Sequence, residues 1–481
     1  MPAVDPGDIP PTHIINLSLP PARRYTRLAA LYTPQLRSIT SIFDSLVLEI
    51  FPPSYLPWIK SLARIFLRRV YDNEESEEIR GIAQVTGIDL YLVVCLNVLL
   101  DLLMGCTSGA ALYKPNRSSR SREGNESLAD GEGAARLLHF RTLDWDMPAL
   151  RQLVVKLQYV DSDAEDAHVL ATNITYVGFV GVLTGVRPGL SVSLNFRPNH
   201  DGDSWLKHLK YYGSIALVLL GWRRSISSVL RQVIIPSRPR NGLARRVLSG
   251  LGWLFLSLFV GGRKKQAVNE ASLTETVSRI LRTPSTACYL VLCDGQRAYV
   301  LEKDYKTRTV ESSSSFIVAT NSDRKVGYPQ AGDHSTREQH TGASLVSGDP
   351  VLMTDFIKDS IERRECMQAH WDMKVTTARQ AIRRASQARS DPLKRTRSSQ
   401  SRDICNGFSS SSSYTTPPSI TPSEPEITAT LDEIVSWTSR YPTTNETTHF
   451  ATVLDPAKGT VAWIRRYPEP LDCSWEMTDF D

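Results

Sequence analysis

The spacing of apolar residues divides the chain into alternating blocks of predicted helix and strand. Helical spacing runs through residues 23–70 and breaks at Pro34 and Pro52-Pro53. NEESEEIRGIAQVTGI opens with acidic residues and ends at Gly87, which is typical of a helix. LYLVVCLNVLLDLLM is apolar nearly all round and predicts a buried helix, whereas the earlier HIINLSL is rich in β-branched residues and predicts a short strand.

After Thr107 the pattern becomes that of strands. Five successive runs separated by turn residues predict an antiparallel meander: RLLHFRTLDW, LVVKLQYV, HVLATNITYVG, FVGVLTGV and LSVSLNFRP. Helical patterns return over residues 200–282 and from Pro350 to Ala381. Two hairpins are predicted, one at Asp294-Gly295 and one in HFATVLDPAKGTVAWIRRYP. Strand blocks alternating with helix blocks indicate a layered α+β fold.

The composition indicates two polar inserts, at about residues 114–135 and 383–426, and their polar, low-complexity sequence predicts disorder. The net charge of +5 is small for 481 residues, so no nucleic-acid partner is expected. The seven cysteines are scattered without a CxxC pair, which favours a reducing compartment over a disulfide framework. The first residues lack the charge and apolar pattern of a signal peptide, so a cytoplasmic or membrane-peripheral location is expected.

The segment at residues 243–265 combines an apolar centre with basic ends. VLSGLGWLFLSLFVGG, from Val247 to Gly262, is shorter than the ~20 residues that a membrane span needs. Arginines and lysines stand at both ends of residues 243–265. This pattern predicts docking on a membrane surface, and the alternative interpretation is a buried core helix.

The candidate chemistry begins with LLDLLMGCTSGAAL, where Cys106 follows Gly105. A lone cysteine after an apolar run is usually an inert core residue. RTLD, however, places Arg141 and Asp144 three residues apart on a strand expected to pair with the Cys106 strand. ATNSD supplies an amide, Asn321, at the end of another predicted strand.

Together these motifs resemble a known family. INLSLPPARRY, EIRGIAQVTGI, GCTS, RTLDWDM, GFVGVLTGVRPGLSVSLN, TNSD, ERR and VLDPAKGTVAW are similar to acid ceramidase and N-acylethanolamine-hydrolysing acid amidase, which are N-terminal-nucleophile hydrolases related to bile-salt hydrolases. The resemblance implies a four-layer αββα sandwich with a helical N-terminal segment. It further implies a segment 1–105 and a catalytic domain 106–481, which stay associated after autocatalytic cleavage between Gly105 and Cys106.

The resemblance also implies roles for individual residues. Cys106 would be the nucleophile, with its exposed α-amine as general base, because an α-amine titrates near pH 8 and can take the thiol proton. Asp144 would hold that amine, and Arg141 would favour the thiolate. Asn321 would donate its side-chain amide to the oxyanion of the tetrahedral intermediate.

The remaining assignments by resemblance are less central. Arg363 in ERREC matches a distant arginine of the family's site, although Arg364 stands next to it. Asn195 and Trp145 are expected to bind substrate. No metal or cofactor is expected.

The expected function is hydrolysis of the amide bond of N-acylated lipids, with ceramide foremost. An N-acylethanolamine amidase is the alternative among enzymes. A catalytically silent, membrane-associated interaction protein that keeps the fold is the alternative from another class. The named family members are lysosomal, so a lysosome or vacuole is the alternative compartment.

Overall fold

A computed structural model describes residues 4–99, 105–115, 134–164, 166–198, 205–235, 272–324, 350–390 and 426–471. Its helices are α1 Pro21–Arg24, α2 Thr26–Leu31, α3 Thr33–Ser38, α4 Ser41–Ile50, α5 Leu56–Phe66, α6 Asn73–Thr86, α7 Leu90–Leu99, α8 Trp205–Leu219, α9 Ile226–Ile234, α10 Leu273–Arg282, α11 Pro350–Ser390 and α12 Leu431–Ser439. Its strands are β1 Thr12–Asn16, β2 Gly105–Tyr113, β3 Arg136–Asp144, β4 Val154–Val160, β5 Ala171–Tyr176, β6 Thr184–Arg187, β7 Leu190–Phe196, β8 Ser285–Cys293, β9 Ala298–Ser313, β10 Phe316–Ala319, β11 Thr448–Asp455 and β12 Thr460–Arg466.

The N-terminal segment is helical, as predicted, with β1 as its strand. Helix α6 begins after Asp72, whose side chain accepts from the backbone N–H of Glu74, and ends at Gly87 in the left-handed region with φ 67°. Helix α7 is buried, and its Asn97 accepts from the Val180 N–H at 2.8 Å and donates to the Gly178 carbonyl at 2.8 Å. These hydrogen bonds join the helical segment to the strands that follow it.

The first sheet has seven strands in the order β1-β4-β5-β6-β7-β8-β9. Strands β4 to β7 form the predicted antiparallel meander, and the β8–β9 hairpin turns at Asp294-Gly295 as predicted. The prediction was wrong in placing the first run, β3, in this meander. Residues Leu137 to Asp144 of β3 are all buried. The strand therefore shows no alternation of apolar and polar positions from which its place in a sheet could be predicted. The sheet is also not wholly antiparallel, because β1 pairs parallel to β4.

The second sheet has five strands in the order β10-β2-β3-β11-β12. Strand β2 pairs antiparallel with β3, which places Cys106 opposite Leu143 and Gly105 opposite Asp144. The last hairpin, β11–β12, forms as predicted. The end of β3 that carries Asp144 therefore lies beside the start of β2.

The two sheets pack face to face and helices cover their outer faces. The ring nitrogens of His139 on β3 lie 2.9 Å from the hydroxyls of Ser191 and Ser193 on β7, so a hydrogen-bonded bridge crosses between the sheets. Helices α8, α9 and α10 pack on the seven-stranded sheet, and α11 and α12 pack on the five-stranded sheet. The predicted αββα layering is confirmed.

Helix α11 differs from its predicted extent. It continues past the predicted end at Ala381 to Ser390, so the prediction of disorder was wrong for residues 383–390. These residues are rich in alanine and arginine and contain no glycine or proline. The predicted division at residue 105 stays a prediction. Most of the two predicted inserts, residues 116–133 and 391–425, lies outside the described residues, as does the whole segment 243–265.

Candidate active site

Cys106 lies at the start of β2 and is fully buried. The guanidinium Nη2 of Arg141, on the neighbouring strand β3, donates to the Cys106 Sγ at 3.2 Å. The thiol itself faces the Leu194 carbonyl at 3.8 Å. Burial raises the pKa of the Cys106 thiol to about 11, against the opposing effect of the Arg141 charge. In the uncut chain the sulfur is therefore a protonated thiol at neutral pH, with a cation already placed to stabilise its ionised form.

Arg141 is held in place by polar side chains from both sheets. Its Nη1 donates to the Ser108 hydroxyl at 3.3 Å and to the Asn195 Oδ1 at 3.2 Å. The Ser108 hydroxyl in turn donates to Asn195 at 2.7 Å, and the Asn195 amide donates to the Ala319 carbonyl at 3.1 Å. Asn195 is buried and lies beside the arginine that contacts the nucleophile. Its contacts support a role in orienting Arg141, and the predicted substrate contact stays a prediction.

Asn321 lies in the turn after β10 and reaches Cys106 directly. Its Oδ1 accepts from the Cys106 backbone N–H at 2.7 Å and from the Arg363 Nη2 at 3.3 Å. Its Nδ2 donates to the Phe196 carbonyl at 2.7 Å. Because the oxygen faces donors and the nitrogen faces a carbonyl, the amide orientation is settled by its partners. In the uncut chain it is thus the amide oxygen that contacts Cys106.

Asp144 forms a buried ion pair with an arginine from α11. The Arg363 Nη1 lies 2.5 Å from the Asp144 Oδ2, and both side chains are 3% exposed. The Thr448 hydroxyl donates to the other carboxylate oxygen at 2.7 Å. Burial raises the pKa of Asp144 and the Arg363 charge opposes this. Arg364 instead donates to the Ser322 and Asp323 carbonyls, so Arg363 is the arginine that the fold brings to Cys106, Asp144 and Asn321.

Trp145 follows Asp144 and forms part of the wall of an apolar cavity. The cavity is a partly open pocket between the N-terminal helices and the end of β3, and its space, including the part open to solvent, is about 660 Å³. Its lining is almost wholly apolar and includes Leu36, Ile39, Phe43, Leu92, Leu96 and Met147. Trp145 and Cys106 belong to the same buried hydrophobic cluster. An apolar space of this kind suits a hydrocarbon chain, and its wall residue Trp145 is next in sequence to Asp144 of the polar cluster.

The structure adds residues that sequence reasoning missed. Ser108 follows Cys106 by two positions, so the period of two along a strand already placed it on the same face as the nucleophile. Ser360 lies one helical turn before Arg363, and its hydroxyl accepts from the Asn321 backbone N–H at 2.7 Å, a contact that side-chain patterns do not reveal. Thr448 carried no such signal, because only the pairing of β11 with β3 brings it to Asp144.

Within the described ranges, no group of three or more histidine, cysteine, aspartate or glutamate side chains is arranged to hold a metal ion. None of the helices in the same ranges has the length and apolar character needed to cross a bilayer.

Parts of the chain are similar in sequence to known proteins. The family described as the beta subunit of N-acylethanolamine-hydrolyzing acid amidase matches residues 8–71. Acid ceramidase of Mus musculus is 30% identical over 207 residues, which cover 40% of this chain and 47% of that protein. N-acylethanolamine-hydrolyzing acid amidase of Caenorhabditis elegans is 28% identical over 203 residues, covering 40% of this chain and 49% of that protein. The predicted resemblance to this family is confirmed.

The extent of the similarity is limited. The chain spans about half the length of the curated relatives it matches. Among solved structures, the Caenorhabditis elegans N-acylethanolamine-hydrolyzing acid amidase ortholog matches with a TM-score of 0.37 and 17% identity, covering 75% of this chain and 99% of that one.

Proposed function

We propose that the chain is an amidohydrolase of N-acylated lipids in which Cys106 is the nucleophile. The observation that carries the proposal is the contact of the Arg141 guanidinium with the Cys106 sulfur at 3.2 Å, in a buried cluster completed by Asn321 and the Asp144–Arg363 ion pair. A cation beside a thiol stabilises the thiolate, which is the reactive form. The relatives named above, acid ceramidase and an acid amidase, support an N-acyl lipid as the substrate.

The first step of the proposed mechanism is cleavage of the chain before Cys106. The thiol attacks the Gly105 carbonyl carbon, and the acyl group moves from the Cys106 nitrogen to its sulfur as a thioester. Water then hydrolyses the thioester, leaving a Gly105 carboxylate, a free thiol and a free α-amine on Cys106. Asn321 Oδ1, which accepts from the backbone N–H in the uncut chain, is placed to accept from that amine.

In the second step the α-amine takes the thiol proton, since an α-amine titrates near pH 8. The thiolate, held by Arg141, attacks the amide carbonyl of the lipid. The leaving nitrogen receives the proton from the ammonium group, and water releases the fatty acid from the thioester. We assign the oxyanion to the Asn321 Nδ2, which carries two N–H groups and donates one of them to the Phe196 carbonyl.

The apolar cavity beside Trp145 is proposed to take the acyl chain. Its lining offers almost no hydrogen-bonding group, which suits a hydrocarbon and disfavours a polar peptide or sugar. N-acylsphingosine is the first candidate substrate and N-acylethanolamine the second. The two share the acyl chain and the amide, so only the group on nitrogen distinguishes them.

The test is a substrate panel run with purified full-length protein. N-acylsphingosine and N-acylethanolamine with the same acyl chain are compared for the wild type, Cys106→Ala and Cys293→Ala, a matched control at a fully buried strand cysteine. We expect the wild type and Cys293→Ala to hydrolyse one or both lipids and to appear as fragments 1–105 and 106–481. Cys106→Ala should stay one chain and be inactive. A fully active wild type that remains one chain would refute the mechanism, and absence of hydrolysis with either lipid would favour an interaction protein.

Membrane docking through residues 243–265 stays a proposal, since this segment lies outside the described residues. Its apolar centre and basic ends suit the boundary between headgroups and acyl chains. Replacing Trp253, Phe255 and Phe259 with Ser should abolish binding to anionic liposomes while sparing cleavage before Cys106. A variant that fails to fold or mature would place the segment in the core instead.

A further inference from the structure

The turn that carries Asn321 is anchored from outside the two sheets. Asn321 follows β10 and reaches Cys106 with its side chain, so the position of its backbone decides where its amide lies. The backbone N–H of Asn321 donates to the Ser360 hydroxyl of α11 at 2.7 Å. That hydroxyl also lies 3.0 Å from the Thr320 Oγ1 and 3.1 Å from the Ser322 Oγ, and Ser360 is fully buried.

The contacts of Ser360 are unlike those of a serine or threonine that merely satisfies itself within a helix. Thr438, buried in α12, donates to the carbonyl four residues earlier, as helical hydroxyls commonly do. The hydroxyl of Ser360 is instead directed at three consecutive residues of the turn, Thr320 to Ser322. One helical turn later on the same face, Arg363 contacts Asp144 and the Asn321 Oδ1.

We propose that Ser360 is a positioning residue for the reaction and acts through Asn321. This inference rests on the proposed function of the Cys106 site. Ser360 holds the Asn321 backbone while Arg363 holds its side-chain oxygen, so a single turn of α11 fixes the amide at two points. Loss of the hydroxyl removes an acceptor of a buried N–H and the contacts that hold Thr320 to Ser322.

The expected effect is on turnover rather than on substrate binding. The hydrogen bonds of Ser360 are made to the turn at Thr320 to Ser322, and Ser360 is not among the residues that line the apolar cavity. A misplacement of a reacting group by about 1 Å can cost ~10²-fold in rate. Ser360→Ala should therefore lower kcat by ~10- to 100-fold with KM within about twofold. Ser360→Thr keeps the hydroxyl and should recover most of the lost kcat.

A matched control is available on another helix. Ser76 on α6 is also buried, and its hydroxyl contacts the Val70 carbonyl and the Asp72 carbonyl away from the site. Ser76→Ala removes the same group from a comparable environment. It should lower the unfolding temperature about as much as Ser360→Ala while leaving kcat unchanged.

A second measurement does not depend on activity. Backbone hydrogen exchange is followed over residues 316–324 in full-length chains that carry Cys106→Ala and therefore stay uncut. Adding Ser360→Ala should speed exchange at Asn321 by at least ~10-fold, since its N–H loses the Ser360 hydroxyl as acceptor, and adding Ser76→Ala should not. Unchanged exchange at Asn321, or an unchanged kcat in Ser360→Ala, would overturn the positioning role. If the wild type hydrolyses no N-acyl lipid, the proposed function fails while the exchange measurement still decides whether Ser360 holds the turn.

Discussion

Replacing Glu75 with Gln should stabilise the protein at alkaline pH. Glu75 lies on α6 and is buried against α9, where its Oε1 accepts from the Ser228 hydroxyl at 2.8 Å and lies 4.0 Å from the Arg231 Nε. The carboxylate of Glu78, one turn along α6, accepts from Nη1 and Nη2 of Arg231 at 2.6 and 2.7 Å. Burial is the dominant influence and raises the pKa of Glu75 from 4.5 to about 7, against the opposing effects of Arg231 and Ser228.

The direction in which stability changes with pH follows from the protonation state of Glu75 in the folded and the unfolded chain. Between pH 4.5 and about 7 the folded chain keeps Glu75 protonated while the unfolded chain has it ionised, so folding takes up a proton. Stability therefore falls as the pH rises through this range and levels off above it. At about 1.4 kcal/mol for each pH unit, the penalty at pH 8 is about 3 kcal/mol, and it is under about 1 kcal/mol at pH 5. Gln resembles the protonated acid and carries no such penalty.

The assay is urea unfolding of full-length Cys106→Ala chains at pH 8 and pH 5. Glu75→Gln should raise the free energy of unfolding by about 3 kcal/mol at pH 8 and by less than about 1 kcal/mol at pH 5. Glu77→Gln, at an exposed position on the same helix, is the control and should change it by less than about 0.5 kcal/mol at either pH. Glu78→Gln breaks the buried pair with Arg231 and should destabilise by about 3 to 5 kcal/mol at pH 8. A destabilised Glu75→Gln chain at pH 8 would refute the reasoning, because Arg231 and Ser228 would then outweigh burial.

Three further predictions concern the site itself. Asn321→Ala should lower kcat by ~10²–10³ with little change in KM, and activity within a few-fold of wild type would move the oxyanion site elsewhere. Arg363→Met or Asp144→Leu alone should cost about 3 to 5 kcal/mol in urea unfolding of the Cys106→Ala chain, whereas the double variant should cost less than either, and additive losses would show that the pair is not coupled. A Cβ at Gly105 would lie 3.3 Å from the Asp144 Cβ and carbonyl oxygen, so Gly105→Val should slow the appearance of fragments 1–105 and 106–481 at least ~10-fold on a denaturing gel. Cleavage of that variant at the wild-type rate would show that a valine side chain fits beside Asp144 at the start of β2.

The sequence predicted the local parts of the site well. Arg141 and Asp144 share one strand, so the pairing of β3 with β2 was enough to bring both to Cys106. Asn321 at a strand end was a second local feature. The resemblance to the acid ceramidase and amidase family supplied the reason to group these residues.

What escaped prediction depends on packing between distant elements. The choice between Arg363 and Arg364 follows from the rotation of α11 on the sheet, which adjacent sequence positions cannot reveal. Ser360 acts through a backbone N–H, and a backbone group leaves no trace in side-chain patterns. The contact of the Asn321 oxygen with the Cys106 N–H was not predicted, and the expected donation of its amide nitrogen to the oxyanion stays a prediction. Which atom of an amide faces a partner is fixed only by the surrounding donors and acceptors.

The complete burial of Cys106 has a consequence for the life of the molecule before it matures. With a pKa of about 11, only about one thiol in 10⁴ is ionised at pH 7, and none of its surface is open to solvent. Peroxide and electrophiles react with exposed thiolates, so in the newly made chain this sulfur is shielded from reagents in solution while the Gly105 carbonyl lies next to it in the chain. On the proposed route the released α-amine is the base that ionises this thiol, so the rate of Cys106 alkylation by an added probe should rise as fragments 1–105 and 106–481 appear.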